Sequence, residues 1–170
     1  MAGGTIYRPC AETTAGNAGP ELRGGPSLEG STIRVLIVED YAPWRRFICS
    51  MLEKRRGLRI VGEVLDGFLA VQKAQELQPD LILLDIGLPT INGIEAARRI
   101  RDQAPNSKIL FVTENRSSEV VQEALRTGAL GYVAKSDAAT ELLPAVEAVR
   151  QGKQFVSARL AGQESTSNRS

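Results

Sequence analysis

Five short, largely apolar runs recur along the chain: IRVLIV at 33–38, LRIVGEV at 58–64, LILL at 81–84, KILFV at 108–112 and ALGYVA at 129–134. Between them, apolar residues return at helical spacing. A short run without polar alternation is what a strand buried on both faces requires. Such a strand must be covered by helices, and parallel neighbours need a crossover long enough to contain one. The central run is tightly bounded. Asp80 precedes it, Asp85 follows it, and Pro79 and Pro89 leave too little room for a helix.

Local signals place the helices. Pro43 suits a first helical turn, and Trp44, Phe47, Ile48, Met51 and Leu52 then share one apolar face. Trp44 and Cys49 read as core or helix-flank residues. The basic cluster Arg45-Arg46 and Lys54-Arg55-Arg56 lies mostly off that face and reads as a solvated surface, with docking to an acidic partner as the alternative. Asp66-Gly67 turns into a second helix carrying Leu69, Ala70, Val71, Ala74 and Leu77. Asn92-Gly93 opens a third helix, which Pro105-Asn106 breaks. Ser117-Ser118 with Glu119 starts a fourth, and Gly128 suits its left-handed C-terminal position. A fifth covers about 137–151. Pro144 inside it should bend it or leave the carbonyl near Thr140 without its usual donor. Strands alternating with helices in this way predict an α/β, flavodoxin-like, doubly wound (βα)5 fold. The expected sheet has five parallel strands in the order 2-1-3-4-5, joined by right-handed crossovers.

The chain has 170 residues, enough for one domain with a real core. Residues 1–31 are rich in Gly, Ala, Thr and Pro and are expected to be a disordered tail. Residues 32–156 form the expected domain, and 157–170 a flexible tail or truncated linker. A net charge of +1 gives no global attraction to nucleic acid or anionic membrane. Cys10 and Cys49 form neither a disulfide framework nor a metal-ligand spacing. No run reaches membrane-span length and no signal-peptide pattern opens the chain, so a cytoplasmic location is expected. The chain contains no histidine. Histidine acid–base catalysis, histidine metal ligands and a phosphohistidine of its own are thereby excluded. A phosphoryl group handled through histidine would come from another molecule.

The polar residues that end the strands carry the chemistry. Strand 1 ends in Glu39-Asp40, strand 3 in Asp85, strand 4 in Thr113 and strand 5 in Lys135. In an open α/β sheet the carboxyl edge is where ligands bind. Each residue alone is also explicable as a cap or loop anchor. Together they bring three carboxylates, a hydroxyl and an ammonium to one edge. Clustered carboxylates make a hard oxygen site suited to Mg²⁺. Beside it Asp85 can act as a nucleophile toward phosphorus and form an acyl phosphate. Lys135 can pair with a phosphoryl oxygen as a point charge, and Thr113 can donate to another.

VLIVED with its acidic pair, LLDIGLP, Thr113 after a strand, and GYVAKS with an aromatic three residues before the lysine resemble the receiver domain of two-component response regulators. The resemblance covers about residues 33–152. ELLPAVEAV and the later FVS are most similar to receivers of the subfamily that carries a LuxR-type helix-turn-helix, and that output domain does not follow here. The resemblance implies that Asp85 is the phosphoacceptor, that Asp40, Asp85 and the carbonyl of Gly87 bind Mg²⁺ with help from Glu39, and that Lys135 contacts the phosphoryl group. Thr113 and Tyr132 would be the switch pair, acting on the face made by helix 4, strand 5 and helix 5. Glu114 and Asn115 would modulate the site.

The implied partners are a histidine kinase or histidine phosphotransfer protein, with a possible homodimer through that face. No direct nucleic-acid or membrane binding is expected. Nor is enzymatic activity, beyond self-phosphorylation from small donors and autodephosphorylation. Glu114 departs from the family's usual small residue and could hinder or repel phosphate. A phosphate-independent scaffold, and the receiver fragment of a DNA-binding regulator, are the alternatives. Another flavodoxin-like protein is disfavoured, because no Gly-rich phosphate loop follows strand 1.

Overall fold

The computed structural model describes residues 31–161. Residues 1–30 and 162–170 of the two expected tails lie outside them. The elements run β1 (Ile33–Val38), α1 (Ala42–Glu53), β2 (Leu58–Val64), α2 (Gly67–Leu77), β3 (Leu81–Leu84), α3 (Gly93–Gln103), β4 (Lys108–Thr113), α4 (Ser118–Arg126), β5 (Gly131–Ala134), α5 (Ala138–Arg150), β6 (Phe155–Val156) and α6 (Ala158–Ala161). A 3₁₀ turn, Lys135–Asp137, joins β5 to α5.

All strand pairs are parallel, in the order 2-1-3-4-5-6. The sheet therefore has six strands rather than the five expected. β6 adds to the outer edge of β5, with Gly131 opposite Phe155 and Tyr132 opposite Val156.

Side chains alternate across the sheet, as the pleat requires. Leu36, Val38, Ile82, Leu84, Ile109, Phe111 and Tyr132 face one way, against α2, α3 and α4. Val35, Ile37, Leu81, Leu83, Leu110, Val112 and Val133 face the other, against α1 and α5. Both sides of the inner strands are thus buried, which is why their sequence is apolar without a period. Burying each of the large residues in these layers contributes roughly 1.5–3 kcal/mol.

The helix ends follow local chemistry. The Asp66 carboxylate accepts from Leu69 N–H at 2.9 Å and caps α2, and the Asn92 side chain accepts from Glu95 N–H at 2.9 Å and caps α3. Gly128 follows α4 with φ at +90°. α5 continues through Pro144. Thr140 and Pro144 are both exposed, so the carbonyl that lacks its helical donor lies where water can reach it.

The expected flexible tail is corrected at its start. Ser157 is fully buried, Ala158–Ala161 forms a helical turn, and Leu160 packs into the α4-side core. Residues 157–161, four of them polar or small and one a leucine, carry no period by which to read this.

Candidate functional site

The strand order sets β1, β3 and β4 side by side, so their carboxyl ends share one edge. A cavity of about 710 Å³ opens there, lined by Glu39, Asp40, Asp85, Gly87, Thr113 and Lys135, with Glu114 and Asn115 on its β4 side. Tyr41 and Ile86, which the sequence did not single out, complete it. Every residue expected at the site lines this cavity except Tyr132. That ring is fully buried behind it, and its hydroxyl donates to the Asn115 carbonyl at 2.8 Å.

At the centre is a buried ammonium between two carboxylates. Lys135 Nζ lies 2.7 Å from Glu39 Oε2 and 3.1 Å from Asp85 Oδ2. The contact to Glu39 is an ion pair without good hydrogen-bond alignment, and Glu39 Oε2 has no other partner among the described residues. Glu39 Oε1 accepts from Tyr41 N–H at 2.9 Å, and Asp85 Oδ1 from Ile86 N–H at 2.7 Å. Asp40, next in sequence, is exposed.

Burial first of all raises the Glu39 pKa above the ordinary carboxylate range, against the opposing pull of Lys135 and the Tyr41 amide. Burial works against the Lys135 charge too. Its contacts with Glu39 and Asp85 more than offset that and hold its pKa above the usual lysine value. Burial, then the Asp85 charge, pushes the Tyr132 phenol up.

Three carboxylates can each present an oxygen within 4.8 Å of the others. Such a donor set fits a hard divalent cation. Gly87 lies on the open side of the cavity, where a Cβ would meet nothing within 4 Å.

Two contributors escaped the sequence reading. Gly93 N–H donates to the Ile86 carbonyl at 2.8 Å, and a Cβ on Gly93 would lie 2.0 Å from the Asp85 carbonyl oxygen. Only glycine lets the start of α3 press so closely against the Asp85–Ile86 backbone. The pair Asn92-Gly93 showed a helix start and nothing more. Arg45, read as helix surface, instead reaches the acidic-pair loop, where its Nη1 donates to the Glu39 carbonyl at 3.2 Å.

A doubly wound sheet with three carboxylates and a buried lysine at its carboxyl edge defines a phosphoryl-accepting signalling module. The chain belongs to the response regulator receiver domain family, whose model matches residues 35–147. Domains of this family are phosphorylated by histidine kinases, bind Mg²⁺ at an acidic pocket and act as signalling proteins.

The chain is 35% identical over 131 residues to the response regulator GacA of Pseudomonas viridiflava, covering 77% of this chain and 61% of that one. It is 32% identical over 130 residues to the transcriptional regulatory protein LiaR of Bacillus subtilis, covering 76% and 62%. Among solved structures, a LuxR-family two-component response regulator from Aurantimonas superposes with a TM-score of 0.74 at 35% identity, over 78% of this chain and 94% of that one. The response regulator domain of Thermotoga maritima CheB does so at 0.66 and 32% identity, over 71% and 97%. The chain spans about 60% of the length of the curated relatives it matches. No helix among the described residues is long and apolar enough to cross a membrane.

Proposed function

We propose that Asp85 accepts a phosphoryl group from the phosphohistidine of a histidine kinase or histidine phosphotransfer protein. The observation that carries this reading is Lys135 Nζ, buried 3.1 Å from Asp85 Oδ2 beside two further carboxylates. An Asp85 carboxylate oxygen attacks phosphorus, the N–P bond of the donor breaks, and an aspartyl phosphate forms. The Ile86 amide, 2.7 Å from Oδ1, fixes the carboxylate plane during the attack. Lys135 moves its charge from the Asp85 carboxylate to the arriving phosphoryl oxygens, and the Thr113 hydroxyl supplies a hydrogen bond from the β4 side. Asp40, Asp85 and the Gly87 carbonyl would hold Mg²⁺ with help from Glu39, and the bound ion would supply positive charge to offset that of the acceptor and the phosphoryl group. Glu114, exposed at the mouth, and Asn115 tune access and hydrolysis.

In this reading the output is a shift of Thr113 and Tyr132 that re-shapes the α4–β5–α5 face. A second copy of the chain or another protein reads that face, whose β5 edge is already paired with β6. The domain works in the cytoplasm with its donor. Transcriptional output, as the names of the relatives indicate for them, belongs to the longer protein in which such a domain serves.

Intact mass after incubation with MgCl₂ and acetyl phosphate tests the proposal. A gain of one phosphoryl mass in the wild type and none in Asp85→Asn is expected. No gain in either overturns it unless Glu114→Ala restores the gain, which would identify Glu114 as the block.

A further inference from the structure

The Asp40 carboxylate is exposed and, among the described residues, makes no hydrogen bond or ion pair. Its direction is therefore set by its backbone. That backbone lies in the loop between β1 and α1, and three contacts hold the loop. Glu39 N–H donates to the Val64 carbonyl at 3.0 Å, and Tyr41 N–H to Glu39 Oε1 at 2.9 Å.

The third contact is the Arg45 guanidinium. Its Nη1 lies 3.2 Å from the Glu39 carbonyl oxygen and 3.5 Å from that of Asp40. Its Nε lies 3.2 Å from Glu63 Oε2 on β2, and the two side chains retain only 20% and 12% of their exposure. One planar group thus ties two successive carbonyls of the acidic pair to the neighbouring strand. A fork of donors can do this, and a single ammonium cannot.

We propose that Arg45 is a positioning residue for the acidic pocket. Anchored by Glu63, it holds the Glu39–Asp40 backbone so that the Asp40 carboxylate stays aimed at the metal position. This rests on the proposed role of Asp40 in holding Mg²⁺. Without the guanidinium, the loop samples orientations in which Asp40 points into solvent. The cation must then restore the order that the protein no longer supplies. The effect falls on metal affinity rather than on the chemical step, because Asp85 and Lys135 are held by other elements.

Mg²⁺ titration of the full chain, followed by Trp44 fluorescence, tests the inference. Trp44 is the only tryptophan, and Lys135 Nζ lies 5.5 Å from its ring centroid. Cation entry that draws the carboxylates away from Lys135 changes that environment. Arg45→Gln and Arg45→Lys are each expected to raise the half-saturating Mg²⁺ concentration about tenfold, the lower end of what outer-shell partners cost. Glu63→Gln, which keeps the shape and loses the anchoring charge, is expected to raise it roughly threefold. The rate of phosphorylation by acetyl phosphate at saturating Mg²⁺ should remain within about twofold of wild type.

Circular dichroism verifies folding, and the milder Glu63→Gln serves should an Arg45 variant unfold. A wild-type Mg²⁺ midpoint in Arg45→Gln, or full recovery by Arg45→Lys, overturns the inference alone. Absence of any Mg²⁺ response in wild type overturns the metal reading of Asp40 and the inference with it.

Discussion

Replacing Lys135 with methionine removes the charge between Glu39 and Asp85 while nearly preserving volume. At an effective dielectric of about 20, unit charges attract by roughly 6 kcal/mol at 2.7 Å and roughly 5 kcal/mol at 3.1 Å. The cost of burying the ammonium offsets much of that sum. Breaking a buried pair nonetheless costs about 3–5 kcal/mol, because the remaining carboxylates are left facing each other. For a domain of this size such a loss lowers the melting temperature by roughly 10–20 °C.

Two further features make the prediction specific. The stranded carboxylates are better ligands, so Mg²⁺ should stabilise Lys135→Met more than wild type. At a hundredfold excess over the dissociation constant, binding adds about 2.7 kcal/mol. The deficit should also depend on pH. Burial already raises the Glu39 pKa, so ionising it costs stability as pH rises through that raised value. Without Lys135 the pKa rises further. The gap between variant and wild type is therefore small where Glu39 is protonated and full near neutrality. Lys135 itself stays charged throughout that range, because its pKa is raised, so the pH dependence of the gap comes from the carboxylate side of the pocket. Thermal melts at pH 4 and pH 7, with and without MgCl₂, measure all three effects. A loss under about 3 °C at pH 7 without Mg²⁺, or equal Mg²⁺ increments in both proteins, refutes Lys135 as the counter-charge of the pocket.

Gly93→Ala forces the Asp85–Ile86 backbone aside, since the new Cβ would sit 2.0 Å from the Asp85 carbonyl oxygen. Phosphorylation by acetyl phosphate should fall at least about tenfold, and an unchanged rate would show that this approach does not aim Asp85. Ser157→Ala leaves Ala134 N–H without its 3.0 Å acceptor and Glu141 Oε2 without the Ser157 hydroxyl, while Glu141 Oε1 keeps the Ala158 N–H at 3.2 Å, at a cost of about 1–3 kcal/mol in denaturant melts. Amide exchange should quicken first at Phe155 and Ser157, and a uniform change across the sheet would contradict a local role. Tyr132 has a raised pKa from burial and from the Asp85 charge. Its neutral phenol therefore contributes stability that is fully present below about pH 10 and lost as pH climbs toward the folded value. Tyrosinate absorbance, compared with Tyr132→Phe, should appear only as the fold is lost, and reversible ionisation in the intact fold would count against this burial.

The candidate site was legible where its residues end strands. Once β1, β3, β4 and β5 were read as parallel neighbours, Glu39, Asp40, Asp85, Thr113 and Lys135 had to converge at one edge. What stayed hidden depends on distances between elements. Arg45 looks like helix surface until α1 is seen against β2, where Glu63 waits. Gly93 looks like a helix start until α3 meets the Asp85 loop. β6 has two residues and cannot show a period, and α6 has a single core residue, Leu160. Tyr132 was placed by resemblance alone, and its tether to the Asn115 carbonyl could not be read from spacing.

β6 gives the domain a mechanical property. Ser157 N–H donates to the Tyr132 carbonyl at 2.9 Å, and Ser157 Oγ accepts from Ala134 N–H at 3.0 Å, one residue before Lys135. Polypeptide continuing past Ala161 is thus clipped to the strand that carries both the buried tyrosine and the site lysine. Tension on that polypeptide reaches the β5–β6 edge and the Leu160 core contact before the inner strands. Coupling between two such events is reciprocal. A load that unzips Phe155–Val156 and shifts Lys135 must change the free energy of the acidic pocket. Any ligand of the pocket that shifts Lys135 must change the force needed to unzip the edge by the same coupling.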